Sequence, residues 1–264
     1  MDRDKEQIRA KFSRAAATYD EFARVQFLVA QKLVGLLPLH SGRPDILEIG
    51  CGTGRCSELI MDHFHQGARL SCLDFAPDMV TVARKRLAPY PVEFICGDGE
   101  EFLASCDQET YDLIISNGAC QWFNDLPNSL AAMRRCLRPG GGLYFSIFGP
   151  GSLASLAQAL TEVLGWQGSL PSSRFLAEEE LSQELERTFS HWRLQPLYHR
   201  QSYADVWQLL RAIHATGTGG VGQEAPRLSR GKLAALDEWF SERGGVEVEY
   251  EVFLCQGRRG EGDD

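Results

Sequence analysis

The run Asp45-Ile46-Leu47-Glu48-Ile49-Gly50-Cys51-Gly52-Thr53-Gly54 reads as a strand that passes directly into a glycine turn. Twenty residues beyond that turn, Asp74 closes a second strand, Leu70-Ser71-Cys72-Leu73-Asp74. The two signals commit the chain to neighbouring parallel strands whose loops meet a ligand at one rim of the sheet. A turn without Cβ atoms lets the backbone approach that ligand closely, and a carboxylate at the next strand end accepts protons from both hydroxyls of a ribose. The pattern implies a nucleotide-type ligand, and so an enzyme that uses a diffusible cofactor.

β-like runs then alternate with helical ones. Strands are predicted at 45–49, 69–74, 92–96, 111–116 and 142–148, with helices at 54–65, 77–87 and 126–136. This alternation specifies an α/β fold with a parallel sheet and right-handed crossovers. Before it, residues 1–17 read as a charged helix, and Phe22, Val25, Val29, Leu33 and Leu36 give an amphipathic one. After it come helices at 152–164 and 177–187, a strand at 192–200, and a helix, glycine-rich loop (Gly217, Gly219, Gly220, Gly222) and helix over 203–243. The alternating Val246–Val252 suits a half-exposed antiparallel strand.

The length of 264 residues fits one domain. We expect that domain over 1–256, with N-terminal helices 1–37 and inserted segments 151–188 and 203–243 forming a helical lid, and a disordered tail at 257–264. A net charge of −9 argues against a general nucleic-acid binder, whose affinity would need clustered Lys and Arg. The eight cysteines form no metal-like spacing and are expected to be buried reduced thiols, with no metal bound. The first residues are too charged for a signal peptide, and no apolar run approaches the roughly 20 residues of a membrane span. A soluble, cytoplasmic protein with no membrane partner is expected.

Glycine turns also serve NAD and FAD, but here the spacing is GxGxG, with Arg55 where a dinucleotide fingerprint continues toward its last glycine. A ligand without a pyrophosphate is favoured. Asp74, Cys96-Gly97-Asp98-Gly99 and Ser116-Asn117 close three successive strands with polar groups. Over about 45–148 the chain resembles the class I S-adenosylmethionine-dependent methyltransferases, which have a Rossmann-like, mostly parallel seven-stranded sheet with an antiparallel last strand. The resemblance implies that Gly50, Gly52 and Gly54 line the methionine end and that Asp74 holds the ribose. It also implies that Asp98 and Gly99 meet the adenine, that the backbone near Asn117 faces the amino group, and that Glu48 faces the glycine turn directly or through a water. Taken singly, Asp74 is equally a helix cap before Pro77, Asp98-Gly99 a turn, and Phe75 and Met79 core rather than an adenine wall.

A narrower resemblance runs almost end to end, to the malonyl-[acyl-carrier-protein] O-methyltransferases of biotin synthesis. Its residues are Phe12-Ser13-Arg14-Ala15-Ala16-Ala17-Thr18-Tyr19, Ser116-Asn117-Gly118-Ala119-Cys120-Gln121-Trp122, Gly151-Ser152-Leu153, Arg174-Phe175-Leu176 and Leu210-Arg211-Ala212-Ile213-His214-Ala215-Thr216-Gly217. It implies methyl transfer to the free carboxylate of a malonyl thioester on acyl carrier protein or coenzyme A. Arg174 and Arg211 are candidates to hold that carboxylate, or else are solvated lid arginines. Tyr19 either closes over the cofactor or packs the first helices, and Gln121 and Trp122 wall the transfer chamber. An acidic carrier would dock on Arg3, Lys5, Arg9, Lys11 and Arg14, or on Arg134, Arg135 and Arg138. Gly118, Arg211 and His214 depart from the family pattern, which bears on the lid and the carrier contacts. The alternatives are a carboxyl methyltransferase for another small acid, of trans-aconitate type, a nicotinamide-dependent reductase, and a binding subunit without turnover.

Overall fold

The computed structural model describes residues 3–39, 42–65, 67–216, 226 and 228–262. Three helices, α1 (Arg3–Ala15), α2 (Tyr19–Phe22) and α3 (Arg24–Val34), precede the sheet. The alternating body is β1 (Asp45–Ile49), α4 (Arg55–His63), β2 (Arg69–Asp74), α5 (Pro77–Arg86), β3 (Val92–Cys96), α6 (Gly99–Ser105), β4 (Tyr111–Asn117), a 3-10 turn (Cys120–Trp122), α7 (Leu126–Cys136) and β5 (Leu137–Phe148). Beyond it lie α8 (Ala154–Leu164), a second 3-10 turn (Pro171–Arg174), α9 (Glu178–Thr188), β6 (His191–Tyr203), α10 (Val206–Ala215), α11 (Arg230–Ser241) and β7 (Val246–Arg258).

The strands form one sheet in the order β3-β2-β1-β4-β5-β7-β6. β1 to β5 are mutually parallel, and β7 runs antiparallel to both β5 and β6. The expected mostly parallel seven-stranded sheet with an antiparallel last strand is therefore what the chain builds. Connections run outward from β1 on one side and from β4 on the other, so a crevice opens between their carboxyl ends, where such sheets bind ligands.

Each face of the sheet is covered by helices. On one, Val29 and Leu33 of α3 and Ile60 of α4 pack against Ile46 and Leu70. On the other, Leu103 of α6, Leu130 and Met133 of α7 and Leu181 and Leu185 of α9 pack against Leu47, Ile114 and Leu143. Each of these buried aliphatic side chains contributes roughly 2 kcal/mol from removal from water. Helix α9 thus belongs to a face of the sheet and not to the lid in which the sequence placed it, because Leu181 and Leu185 fall on one side of it.

β5 ends at Phe148 opposite Val252, but the β6–β7 hairpin continues to the pair Tyr203 and Val246. The overhanging half carries the alternation seen in the sequence, and its inward Val246 and Val248 join α8, α10 and α11 through Leu156, Leu209, Trp239 and Phe240. This cap stands over the carboxyl ends of the parallel strands. Asp205 begins α10 by accepting from the Gln208 N–H at 2.7 Å, and Asp237 of α11 accepts from the Val206 N–H, also at 2.7 Å.

Other departures from the sequence reading have local causes. The sequence showed no helix between β3 and β4, because seven residues of α6 are too few for a clear period. β5 begins at Leu137 and not at 142, since Leu137 pairs with Tyr111 before a register shift. The disordered tail expected from Gly257 is instead strand through Arg258. The backbone N–H of Arg259 then donates to Gly141 O at 3.0 Å, and its buried guanidinium donates to Leu137 O at 2.6 Å. Cys96, expected to be buried, is exposed. The glycine-rich stretch at Gly217, Gly219, Gly220 and Gly222 lies outside the described residues.

Candidate active site

The loops leaving β1, β2, β3 and β4 meet at one cleft. Gly50 adopts φ 77°, and a Cβ there would lie 2.3 Å from Ala119 Cβ, so glycine is what allows the loops after β1 and β4 to touch. Gly52 adopts φ 54°, and its missing Cβ would meet no protein atom within 4 Å, which leaves that side open as a cradle. Gly54 differs from the expectation. It caps α4, and a Cβ would press on Ala83 of α5 at 3.3 Å, so it serves helix packing and does not line the cleft.

Asp74 is buried beside Gly52. Its Oδ2 accepts from the Gly52 N–H and its Oδ1 from the Ala76 N–H, each at 2.8 Å. Burial raises its pKa to about 6, against the pull of those two N–H groups. Each oxygen keeps a lone pair, so the donor-rich diol of an adenosine ribose fits the site, as does the open side of Gly52. Phe75 and Met79 line the same cleft, and Met79 is at once buried against Ala16 and Ala76, so wall and core are one surface here.

Glu48 is not among the residues that line the cleft. Its carboxylate is buried against α4, where Oε2 accepts from Ser57 Oγ and from Cys72 Sγ at 3.6 Å, while Oε1 has no partner. Burial raises its pKa to about 7. Asn117 lines the cleft with its side chain fixed, since Nδ2 donates to Gln26 O at 3.1 Å and Oδ1 accepts from Ser146 Oγ at 2.9 Å. Asp98 and Gly99 complete the rim, with Gly99 pressed against Ile49 and Phe123.

Helices α1 and α2 cross this cleft as a strap, fastened at both ends. At one end Lys5 Nζ donates to both oxygens of Asp98, at 2.9 and 2.7 Å, and to Glu100. Burial works against the Lys5 ammonium, but its bonds to the two carboxylates outweigh burial and raise its pKa. At the other end Asp20 accepts from Thr53 Oγ1 at 2.7 Å and from Arg86, whose Nε also donates to Thr53 O at 3.0 Å. Between them Phe12 and Tyr19 pack over Ala76 and Met79. Burial, with the charges of Asp74 and Asp20, raises the Tyr19 pKa and keeps its phenol protonated. With the strap closed the cleft holds about 90 Å³, below the roughly 300 Å³ that a small-molecule site offers, so ligand entry requires the strap to move.

A second, larger cavity of about 860 Å³ lies between the strap, α3 and the cap. Arg174, Arg211, Gln121 and Trp122 line it as the sequence suggested, together with Arg24, which sequence reasoning missed because it sits within an ordinary amphipathic helix. The three arginines are exposed, line this chamber only, and show no carboxylate partner among the described residues. The Arg211 guanidinium sits 5.4 Å from the centre of the Phe22 ring. Gln121 Nε2 donates to Gly118 O at 2.7 Å.

Several members of the expected basic docking patches are engaged within the fold. Lys5 is buried, Arg9 pairs with Glu6, Arg135 donates to Leu103 O, and Arg138 bridges Asp45 and Asp112 at 2.9 and 2.8 Å. No described helix is long and apolar enough to cross a membrane.

This sheet order, with a glycine loop after β1 and a buried acid at the end of β2, defines a class I methyltransferase. Residues 46–141 match the methyltransferase domain family. The chain is 33% identical to the malonyl-[acyl-carrier protein] O-methyltransferase of Serratia marcescens over 92% of its length and 91% of that protein's, and 32% identical to that of Pectobacterium atrosepticum over 94% of each. The chain belongs to the malonyl-[acyl-carrier-protein] O-methyltransferase family. A solved SAM-dependent methyltransferase from Thermotoga maritima shares the fold, with a TM-score of 0.54 and 18% identity over 96% of this chain and 99% of that one.

Proposed function

We propose that the protein transfers a methyl group from S-adenosyl-L-methionine to the free carboxylate of a malonyl thioester on acyl carrier protein, an early step of biotin synthesis. The observation that carries this reading is the pair of cavities that meet at Trp122, one rimmed by Gly52, Asp74 and Asp98, the other roomy and edged by arginines with no carboxylate partner among the described residues. A bound cofactor would supply a sulfonium-activated methyl, which a carboxylate oxygen can accept with displacement of the neutral thioether and no proton to be moved.

A malonyl carboxylate with a pKa near 4 is ionised at neutral pH, so the site needs no general base. What the chain supplies is placement and dryness. Asp74 takes the ribose, Asp98 the adenine amine, and Tyr19 closes from above as a neutral donor. Orientation of this kind is worth on the order of 7 kcal/mol or more. Arg24, Arg174 and Arg211 hold the anionic arm of the carrier as it enters, and α1, α2, α8, α10 and α11 form the lid. The chamber is far roomier than a six-carbon acid requires, which favours an acyl chain on a long arm over a trans-aconitate-like acid.

The test is transfer of labelled methyl from S-adenosyl-L-methionine to malonyl carrier protein, malonyl-CoA and trans-aconitate in parallel. The expected product is a base-labile ester on the malonyl carrier at the highest kcat/KM. Absence of transfer to either malonyl thioester overturns the reading.

A further inference from the structure

Trp122 is the one described residue that lines both the cofactor cleft and the large chamber. Its indole Nε1 is buried and has no hydrogen-bond partner among the described residues. A buried donor left unpaired carries a desolvation cost, and native structures keep such groups where something else is to pair with them. The ring is fixed from both sides: Phe12 of the strap stands edge-on to it at 6.1 Å and 75°, and Phe175 at 5.7 Å and 89°. With Phe12 of the strap and Phe175 beyond the second 3-10 turn packed on the ring, Nε1 is covered, and an acceptor reaches it as the strap shifts.

The sequence offered Arg174 and Arg211 as candidates to hold the acceptor carboxylate or else as solvated lid arginines; both are exposed and line the large chamber only. The chemistry also disfavours an arginine fork at the reacting oxygen. Negative charge on the carboxylate disappears as the ester forms. An ion pair would thus stabilise the ground state more than the transition state and slow the transfer. A neutral N–H binds the anion less tightly than a full positive charge does and so orients it at a smaller penalty.

We infer that the indole N–H of Trp122 is the hydrogen-bond donor that holds the acceptor carboxylate at the junction of the two cavities. Trp122 is then a catalytic residue, while the arginines act on the remainder of the arm. The inference rests on the proposed acceptor being a carboxylate, and it adds a named atom to that reading.

Two measurements test it. The first is a titration of protein carrying ¹⁵N-indole label with malonyl-pantetheine in the presence of S-adenosylhomocysteine. Of the five tryptophans, the resonance missing in Trp122→Phe is the one to follow. It is expected to move downfield with the free acid and to stay in place with the methyl ester. The second is Trp122→Phe kinetics, since phenylalanine keeps an aromatic ring between Phe12 and Phe175 while removing the donor. We expect kcat on malonyl carrier protein to fall about 10- to 100-fold, as for an acceptor oxygen no longer held in line, and to fall by more than S-adenosylmethionine affinity does. In contrast, Arg174→Ala and Arg211→Ala should raise KM and retain kcat.

An indole resonance that ignores the free acid, or answers acid and ester alike, overturns the inference, as does a Trp122→Phe enzyme with undiminished kcat. So does a fall in activity that merely follows a fall in cofactor affinity. If the wild-type protein methylates no malonyl thioester, the proposed function fails, and this inference with it. If it does methylate one while the indole stays still, only the inference fails.

Discussion

Lys5 Nζ lies 2.7 Å from Oδ2 of Asp98 and 2.9 Å from its Oδ1, so the first helix is fastened to the residue assigned to the adenine amine. The ammonium and the cofactor then draw on one carboxylate. Asp98 also caps α6, accepting from the Glu100 N–H at 2.8 Å, which fixes its position whichever partner it holds.

Lys5→Met leaves the buried Asp98 without its cation, at a cost of about 3 kcal/mol of stability. For a domain of this size the cofactor-free protein should melt roughly 6 to 12 °C lower than wild type. Saturating S-adenosylmethionine supplies a replacement donor and should narrow that gap. Thermal melts of both proteins with and without the ligand measure it, and an unchanged gap would show that lysine and adenine do not share Asp98.

The pH dependence follows from Asp74, whose pKa is raised from 3.8 to about 6 in the folded protein. The cofactor-free fold is then favoured by protonation, and its stability falls as pH rises from about 4 through 6. Glu48, raised from 4.5 to about 7, extends the decline to pH 7. Cofactor affinity should run the other way, because the ribose hydroxyls need the anion. Calorimetric titration at fixed ionic strength should find the Kd weakened about 10-fold at pH 5 relative to neutral pH. In Asp74→Asn that slope should vanish along with most of the affinity.

Two glycines in one turn should respond differently to alanine. In Gly52→Ala the new methyl meets no protein atom within 4 Å, so stability should fall by only about 1 to 2 kcal/mol for the left-handed backbone. Cofactor binding should be lost, because the methyl fills the cradle. Gly50→Ala forces a methyl to 2.3 Å from Ala119 Cβ and should displace the loop carrying Gln121 and Trp122. Melting temperature and S-adenosylmethionine binding, measured on both variants, distinguish the two effects.

The parallel sheet was legible because its strands are short apolar runs bounded by glycine, proline and acids, and β1, β2 and β3 have the limits expected of them. The rim residues Gly50, Gly52, Asp74, Asp98 and Asn117 were legible for the same reason, since strand ends place them. What pattern alone does not reveal is pairing across distance. Nothing around Lys5 in a charged helix announces that it reaches Asp98, and Glu48 reads like a rim residue until Ser57 of α4 is brought beneath it. Arg138 looks like part of a free basic patch because its partners, Asp45 and Asp112, are remote in sequence. The unpaired indole of Trp122 is invisible for the opposite reason, as it is defined by what fails to approach it.

The strap touches both cavities: Phe12 and Tyr19 roof the nucleotide side, and Glu21 and Phe22, a few residues on, wall the acyl side. The two rooms consequently share a single door. Any movement of α1 and α2 that opens the first room therefore also reshapes the wall of the second, so the two change shape together.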